Sequence, residues 1–171
     1  MVRALPPDAL PSVLGDLPLA ACAAAHLPLN DTSELETPNA GSHWTLLVFL
    51  RDGSAGAGSA GAAKDGARRG RFVYMDSMSA QVPSYALRLA AALWPLLVPE
   101  AAGERPQVEA LACPRQGNAV DCGVHVVANA ERVAEWVAAG EGLQPEKLPR
   151  AEDMRAYRAQ LKVSHGGLPR L

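Results

Sequence analysis

No apolar run in the sequence approaches the roughly 20 residues needed to cross a bilayer, so a transmembrane helix is not expected. Charge of one sign is also missing. Sixteen Lys and Arg stand against 18 Asp and Glu, a formal net charge of −2, which gives no sign of nucleic-acid or anionic-membrane binding. The start of the chain lacks the unbroken apolar stretch of a secretory signal. Pro6, Pro7, Asp8, Pro11 and Asp16 interrupt the segment that leads to Ala20 and Ala25, and it is read as part of the mature protein. An even set of cysteines is lacking too. Cys22, Cys113 and Cys122 cannot all pair within one chain, which fits a reducing compartment, cytoplasm or nucleus. No internal repeat is visible. What is present is a 171-residue chain, 49% hydrophobic and 20% charged, enough for a single domain with a real core and too apolar to read as disordered.

The first 29 residues, rich in Pro, Ala and Leu, suggest one short helix and a short strand, and Asn30 to Gly41 is polar and turn-like. His43 to Leu50 (HWTLLVFL) is compact and rich in branched and aromatic residues, the pattern of a strand buried on both faces. Asp52 to Gly70 is a low-complexity Gly/Ala/Ser stretch, expected as a surface loop, and Arg71 to Met75 reads as a second strand closed by Asp76-Ser77. From Pro83 to Leu97 the spacing of Leu87, Ala90, Ala91 and Trp94 predicts a helix that Pro95 ends or kinks. A strand is expected over Gln107 to Ala112, then a turn-rich run from Cys113 to Asp121. The clearest helix follows, with Val126, Val127, Ala130, Val133, Ala134 and Val137 on its apolar face and Gly140 at its end. A last helix spans roughly Ala151 to Val163, with Met154, Tyr157 and Leu161 on one side. Strands and separate helices together indicate the α+β class.

If the two central strands form an antiparallel hairpin across the low-complexity loop, the start of the first lies beside the end of the second. Counting from the loop with Leu50 opposite Arg69 places His43 opposite Asp76. Directly opposed Cβ atoms are about 5 Å apart, close enough for a carboxylate to bond an imidazole. The loop then lies at the far end, about 25 Å away at roughly 3.3 Å per residue. Cys122 follows Asp121, a good N-cap for the Val-rich helix. A thiol in a first helical turn faces the positive end of the helix dipole and free N–H groups, a setting that favours the thiolate. An imidazole beside it strengthens that preference and a carboxylate orients the imidazole. The backbone N–H of Cys122 and the side-chain amide of Gln116 are candidate donors to an oxyanion.

Taken singly, each of these residues has an ordinary explanation. A helix-start cysteine is commonly a small buried filler, a strand-opening histidine a satisfied core or surface residue, and Asp76-Ser77 a simple turn. Trp44 could be plain core or the wall of a substrate channel. Cys113, Cys122 and His125 lie close enough in sequence to raise zinc, but a site would want a fourth ligand and tighter paired spacing, so no metal is assigned. His26 and His165 sit in unremarkable contexts.

The wording of the motifs is more specific than their spacing. Gly41-Ser42-His43-Trp44-Thr45-Leu46-Leu47-Val48 resembles the His-Trp strand of the ubiquitin-like-protein proteases, the Ulp and sentrin-specific group. Tyr74-Met75-Asp76-Ser77-Met78-Ser79 looks like that family's aspartate strand, and Cys113-Pro114-Arg115-Gln116 with Asn118 and Asp121-Cys122-Gly123-Val124 resembles its Gln…Asn-x-x-Asp-Cys-Gly signature. The order His, Asp, Gln, Cys is also the family's, whereas papain-like enzymes place the cysteine first. The resemblance covers roughly residues 26 to 138. It implies a papain-like cysteine protease fold, a central mostly antiparallel sheet flanked by helices. His43 is then the general base, Asp76 its orienter, Cys122 the nucleophile and Gln116 the oxyanion-hole side chain. Trp44 would line the channel for the modifier's Gly-Gly tail, with Asn30 and Asn118 as further substrate-binding residues. The run Leu27-Pro28-Leu29-Asn30-Asp31 before GSHW looks most like the deneddylase branch, with the SUMO proteases next.

Family members carry a helix and a Trp-Leu-Asn-Asp-like motif before this point. This chain starts after it, so an N-terminally truncated domain is expected, and the insertion at 52–70 is untypical. The function implied is an isopeptidase or processing endopeptidase acting after the C-terminal Gly-Gly of a ubiquitin-like modifier. The neddylation modifier and conjugates such as cullins, or SUMO, would be its partners, with no cofactor and a monomer as the default. Two other readings stand beside it. A related-clan acetyltransferase would need an acetyl-CoA site, and a basic phosphate-binding patch for it is not visible. A catalytically weak modifier-binding protein would carry the same triad if truncation had cost it activity.

Overall fold

The computed structural model describes residues 10–32, 41–53 and 69–164, so the body of the low-complexity stretch, most of the polar turn before Gly41 and His165 lie outside the described residues. Four strands form one sheet in the order β1 (Ala24–Asn30), β2 (Trp44–Arg51), β3 (Gly70–Met75) and β4 (Val108–Ala110). β1, β2 and β3 pair antiparallel, and β4 runs parallel to β3. That last connection needs a crossover, supplied by helix α2 (Ser84–Leu97). Pro28 sits in β1 at the sheet edge, where its missing N–H costs no ladder bond to a second neighbour. A short helix α1 (Leu10–Leu14) precedes the sheet, and α3 (Cys122–Ala139) and α4 (Met154–Ser164) follow it.

Strand alternation divides the core into two layers. Leu47, Phe49, Phe72 and Tyr74 point to one face and bury against Ala86, Leu89, Ala90, Leu93, Trp94 and Leu97 of α2. Leu46, Val48, Leu50, Val73 and Met75 point to the other and bury against Val126, Val133 and Trp136 of α3. β2 is therefore buried on both faces from Thr45 to Arg51, as its unbroken apolar run predicts. Met154 opens α4 against Val124 and Ala128 of α3, with Tyr157 and Leu161 packed beside them. At the end of β2 far from His43, the buried Arg51 donates to the carbonyls of Cys22 (2.8 Å), Leu19 (3.3 Å) and Leu97 (2.6 Å), tying β2 to the C-terminus of α2.

The structure corrects three sequence expectations. The buried face of α2 is rotated, leaving Leu87 45% exposed and Ala91 exposed. Of the two outcomes expected of Pro95, an end or a kink, the end is excluded, because the helix runs on to Leu97. Pro95 lies in the last turn, where the lost N–H bond is the carbonyl of Ala91 alone, and Val98 N still reaches Trp94 O at 2.8 Å. The face of α3 is also rotated: Val127 and Ala134 are exposed, while the polar His125 and Asn129 are buried. Gly140 does close α3, with φ +73° in the left-handed region. The third correction is the hairpin register. Leu50 faces Arg71 and Leu46 faces Met75, so Asp76 falls level with Thr45 and His43 lies two residues beyond. A slip of two preserves which face every side chain points to, so the apolar pattern could not distinguish the two registers.

Candidate active site

The shifted register changes the His–Asp contact from direct to diagonal, and a diagonal neighbour on the same face stays within reach of a long side chain. His43 Nε2 lies 2.7 Å from Asp76 Oδ1. An ionised carboxylate only accepts, so Nε2 carries the hydrogen and Nδ1 keeps its lone pair. Nδ1 is buried with no hydrogen-bond partner among the described residues. The carboxylate itself is fixed from several sides. Oδ1 also accepts from the backbone N–H of Met78 (2.7 Å) and Ser79 (3.1 Å), and Oδ2 accepts from Tyr74 Oη at 3.2 Å. Burial, ahead of its polar neighbours, pushes the Tyr74 hydroxyl far above its ordinary value, so it remains a donor.

The base is held on its other flank as well. Asp31 Oδ1 accepts from the backbone N–H of Ser42 (2.7 Å) and His43 (3.0 Å), Oδ2 accepts from Ser42 Oγ (2.8 Å), and Asp31 N donates to His43 O (3.1 Å). Burial alone would raise this carboxyl. The bonds from His43 and Ser42 outweigh it and hold Asp31 below the usual carboxylate range. Gly41 makes the approach possible: its φ is +92°, and a Cβ there would sit 1.9 Å from Asn30 Oδ1. Asn30 is placed at the end of β1 beside this clamp, with Oδ1 accepting from Thr32 N at 2.9 Å.

Cys122 is the first residue of α3 and is buried. Trp44, 44% exposed, brings Cδ1 to 3.9 Å from where a Cβ on Gly123 would stand. The starts of β2 and α3 thus meet, with the candidate residues His43 and Cys122 each immediately before the contact in sequence. No hydrogen bond joins the thiol to Nδ1. Of the other thiols, Cys113 is pushed up by burial and is a poor thiolate.

Gln116 is drawn to the same place through Ser77. Its backbone N–H donates to Ser77 O (3.0 Å), and Ser77 Oγ donates to Gln116 Oε1 at 2.6 Å. That contact fixes which way the amide faces, and one Nε2 hydrogen goes to Asn118 O. Asn118 shapes the approach to α3: its Oδ1 accepts from the backbone of Val120 (2.9 Å) and Asp121 (3.0 Å), and its Nδ2 donates to Asp121 Oδ2 at 2.6 Å. Asp121 stands at the N-cap position, but its side chain makes no cap bond, contrary to the sequence expectation. It is turned toward Asn118 and Arg158 instead. His125, one turn after Cys122, is 1% exposed with neither ring nitrogen bonded among the described residues, and burial, opposed weakly by Asp121, holds it below its ordinary value. Cys113, Cys122 and His125 belong to no group of three metal-ligating side chains among the described residues.

Of the residues named from the sequence, His43 is bonded to Asp76, Gln116 to Ser77 beside it and Asn118 to Asp121 before Cys122, while Trp44 meets the start of α3 and Asn30 stands at the end of β1. Sequence reasoning did not assign roles to Asp31, Ser77 and Tyr74, though all three lie inside the quoted motifs. Arg158 had no motif to signal it.

A thiol at the start of a helix, an imidazole just before β2 bonded to a carboxylate, and a side-chain amide on the loop before α3 are the set of groups a thiol peptidase uses, on an α+β scaffold. The chain belongs to the Ulp1 protease family: the profile of that family's C-terminal catalytic domain matches residues 16–165. A curated relative, NEDD8-specific protease 1 of Arabidopsis thaliana, is 30% identical over 114 residues, covering 67% of this chain and 42% of that protein. In fold, the chain resembles the C-terminal Ulp1 protease domain solved in complex with Smt3, the yeast ortholog of SUMO, with TM-score 0.61, 17% identity, and 96% of this chain on 64% of that one. The Ulp1-like SUMO protease catalytic domain of Chaetomium thermophilum gives TM-score 0.56 at 19% identity, with 96% and 56% covered. The chain therefore spans less than half of its curated relative and under two thirds of these solved domains. The likeness bears out the protease-domain fold expected from the motifs.

Proposed function

We propose that the chain is a cysteine peptidase that cleaves after the C-terminal Gly-Gly of a ubiquitin-like modifier, with the neddylation modifier favoured over SUMO. The observation that supports the chemistry is the His43–Asp76 pair, whose bonded Nε2 leaves Nδ1 without a hydrogen-bond partner among the described residues and so available as the base. His43 Nδ1 takes the Cys122 proton, and the thiolate attacks the carbonyl carbon of the terminal glycine. The oxyanion is received by the backbone N–H of Cys122 and the second Nε2 hydrogen of Gln116. Collapse breaks the isopeptide bond as Nδ1 returns its proton to the leaving lysine amine, or to the amine of the next residue in a precursor. A water deprotonated by the same nitrogen then hydrolyses the thioester and restores the thiol. Trp44, at the rim, narrows the slot so that only glycines pass.

The preference among modifiers is supported by the curated relative's name and by the Asn30-Asp31 run ahead of GSHW. SUMO remains second because the solved domains of like fold are SUMO proteases. Conjugates such as cullins are the substrates expected of a deneddylase, in cytoplasm or nucleus, with the enzyme acting as a monomer and without a cofactor. The test is hydrolysis of C-terminal aminocoumarin derivatives of the neddylation modifier, SUMO and ubiquitin in parallel. Release from the neddylation modifier at the highest kcat/KM is expected. Fastest release from SUMO would overturn the branch, and release surviving in Cys122→Ala would overturn the mechanism.

A further inference from the structure

Deepening the peptidase reading, and resting on it, is a contact that reaches the start of α3 from the C-terminal helix. Arg158 lies in the second turn of α4, 36 residues after Cys122 in the chain. Its Nη2 donates to the Val120 carbonyl at 2.9 Å and also to Asp121 Oδ1, and its Nε reaches the same oxygen at 3.1 Å. A planar guanidinium that grips a carbonyl and a carboxylate on adjacent residues fixes both in orientation, which an ammonium could not do. The other carboxylate oxygen is taken by Asn118 Nδ2 at 2.6 Å.

The consequence lies in what Asp121 does not do. An aspartate at the N-cap position ordinarily turns its carboxylate onto the free N–H groups of the first helical turn. Here no such bond forms, because Arg158 and Asn118 hold the carboxylate away. The N–H groups that face Cys122 stay open for a thiolate and an oxyanion, and the negative charge beside the thiol is matched by a fixed positive one. We propose that Arg158 is a positioning residue for Cys122, holding Val120 and Asp121 so that the first turn of α3 stays uncapped and the Asp121 carboxylate neutralised. Other titratable groups near this junction among the described residues are His43 before β2, Asp76 after β3 with Tyr74, Cys113 and Arg115 around it, and His125 within α3. Asp121 is itself ionised at neutral pH, since the Asn118 bond and then the Arg158 contacts hold its carboxyl below the usual range.

The test compares the intact chain with Arg158→Ala, Arg158→Lys and, as a control of equal charge change on the same helix, the exposed Arg155→Ala. Two readouts are taken: kcat and KM on the preferred modifier substrate, and the rate of Cys122 alkylation by iodoacetamide as a function of pH, resolved from Cys22 and Cys113 by peptide mass. Arg158→Ala is expected to lower kcat by about 10- to 100-fold with little change in KM, the scale of a small misplacement of reacting groups. It also moves the acidic limb of the alkylation profile to higher pH. Arg158→Lys restores the limb, because the charge returns, but only part of kcat, because the fork does not. Arg155→Ala matches wild type. Unchanged kcat and an unmoved limb in folded Arg158→Ala overturn the positioning role. So does a kcat loss that vanishes at a lower temperature where the variant is fully folded, which would mark Arg158 as a stability residue only. Failure of the peptidase reading is separate: Cys122 of the unaltered chain would then alkylate no faster than Cys113.

Discussion

The two faces of the sheet are built on different terms. Against α2 the packing is mainly apolar and aromatic, with Phe49, Phe72 and Trp94 meeting ring to ring at centroid distances of 5.5 to 6.4 Å, and the buried Arg51 donates to the Leu97 carbonyl at the end of that helix. Trp94 Nε1 finds a carbonyl, that of Ala101, at 2.8 Å. Against α3, the interior also takes in Cys122, His125 and Asn129, and both histidine nitrogens and Asn129 Oδ1 have no partner among the described residues. His26, which pairs with Val48 and so shares this face, is held below its ordinary value by burial as well. Unsatisfied polar groups destabilise a fold. More such groups lie on the face that carries the Cys122 thiol than on the α2 side, where Thr45 Oγ1 is one, so the α2 layer is the better satisfied of the two.

Substitutions on the two faces should separate stability from activity. Cys122→Ala or His43→Ala is expected to lower kcat/KM by at least about 1,000-fold, while leaving the urea midpoint close to that of the unaltered chain. Conversely, Trp94→Ala or Phe72→Ala should cost about 3–5 kcal/mol in urea unfolding, with the site chemistry of the remaining folded fraction intact. A loss of activity per folded molecule in Trp94→Ala would break the distinction.

Asp31 stands between these extremes. It touches no reacting atom, yet it fixes the backbone on either side of His43. Asp31→Ala should lower kcat by about tenfold and leave KM nearly unchanged. An equal fall in activity and in melting temperature across several Asp31 variants would instead assign it to stability.

Acid sensitivity should belong to the α3 face. His26 and His125 have folded pKa values depressed by burial, so the unfolded chain binds more protons than the folded one once the pH falls below about 6.5. Stability is therefore full above that value and is lost as the pH drops through it. His125→Phe should remove part of the decline in urea midpoint between about pH 7.5 and about 5.5. A decline identical to wild type would show that His125 titrates as freely folded as unfolded. The smallest effect is expected at Leu87, exposed on α2, where Leu87→Ser should change stability by less than about 0.5 kcal/mol.

The sequence made the two central strands, the helix that begins at Cys122 and the nearness of His43 to Asp76 legible, because the elements are announced by local chemistry: a dense branched run, a turn, a valine-rich period. Relations between elements were harder. The register came out two residues off because a shift of two changes no face. The buried sides of α2 and α3 were misjudged because α2 carries Ala and Leu, and α3 Ala and Val, on more than one side, so periodicity alone did not choose. Asp121 looked like a cap because its role is decided by Arg158, which no local window includes.

The most direct test of the account is covalent trapping by modifiers that carry a thiol-reactive group at the C-terminal glycine position. The neddylation modifier, SUMO and ubiquitin should be offered side by side, with Cys122→Ala as control. A single adduct on the intact chain, formed preferentially with the neddylation modifier and absent in Cys122→Ala, is the predicted result. A folded chain that traps none of the three, or one that is labelled equally after Cys122→Ala, would contradict the assignment of Cys122 as the nucleophile.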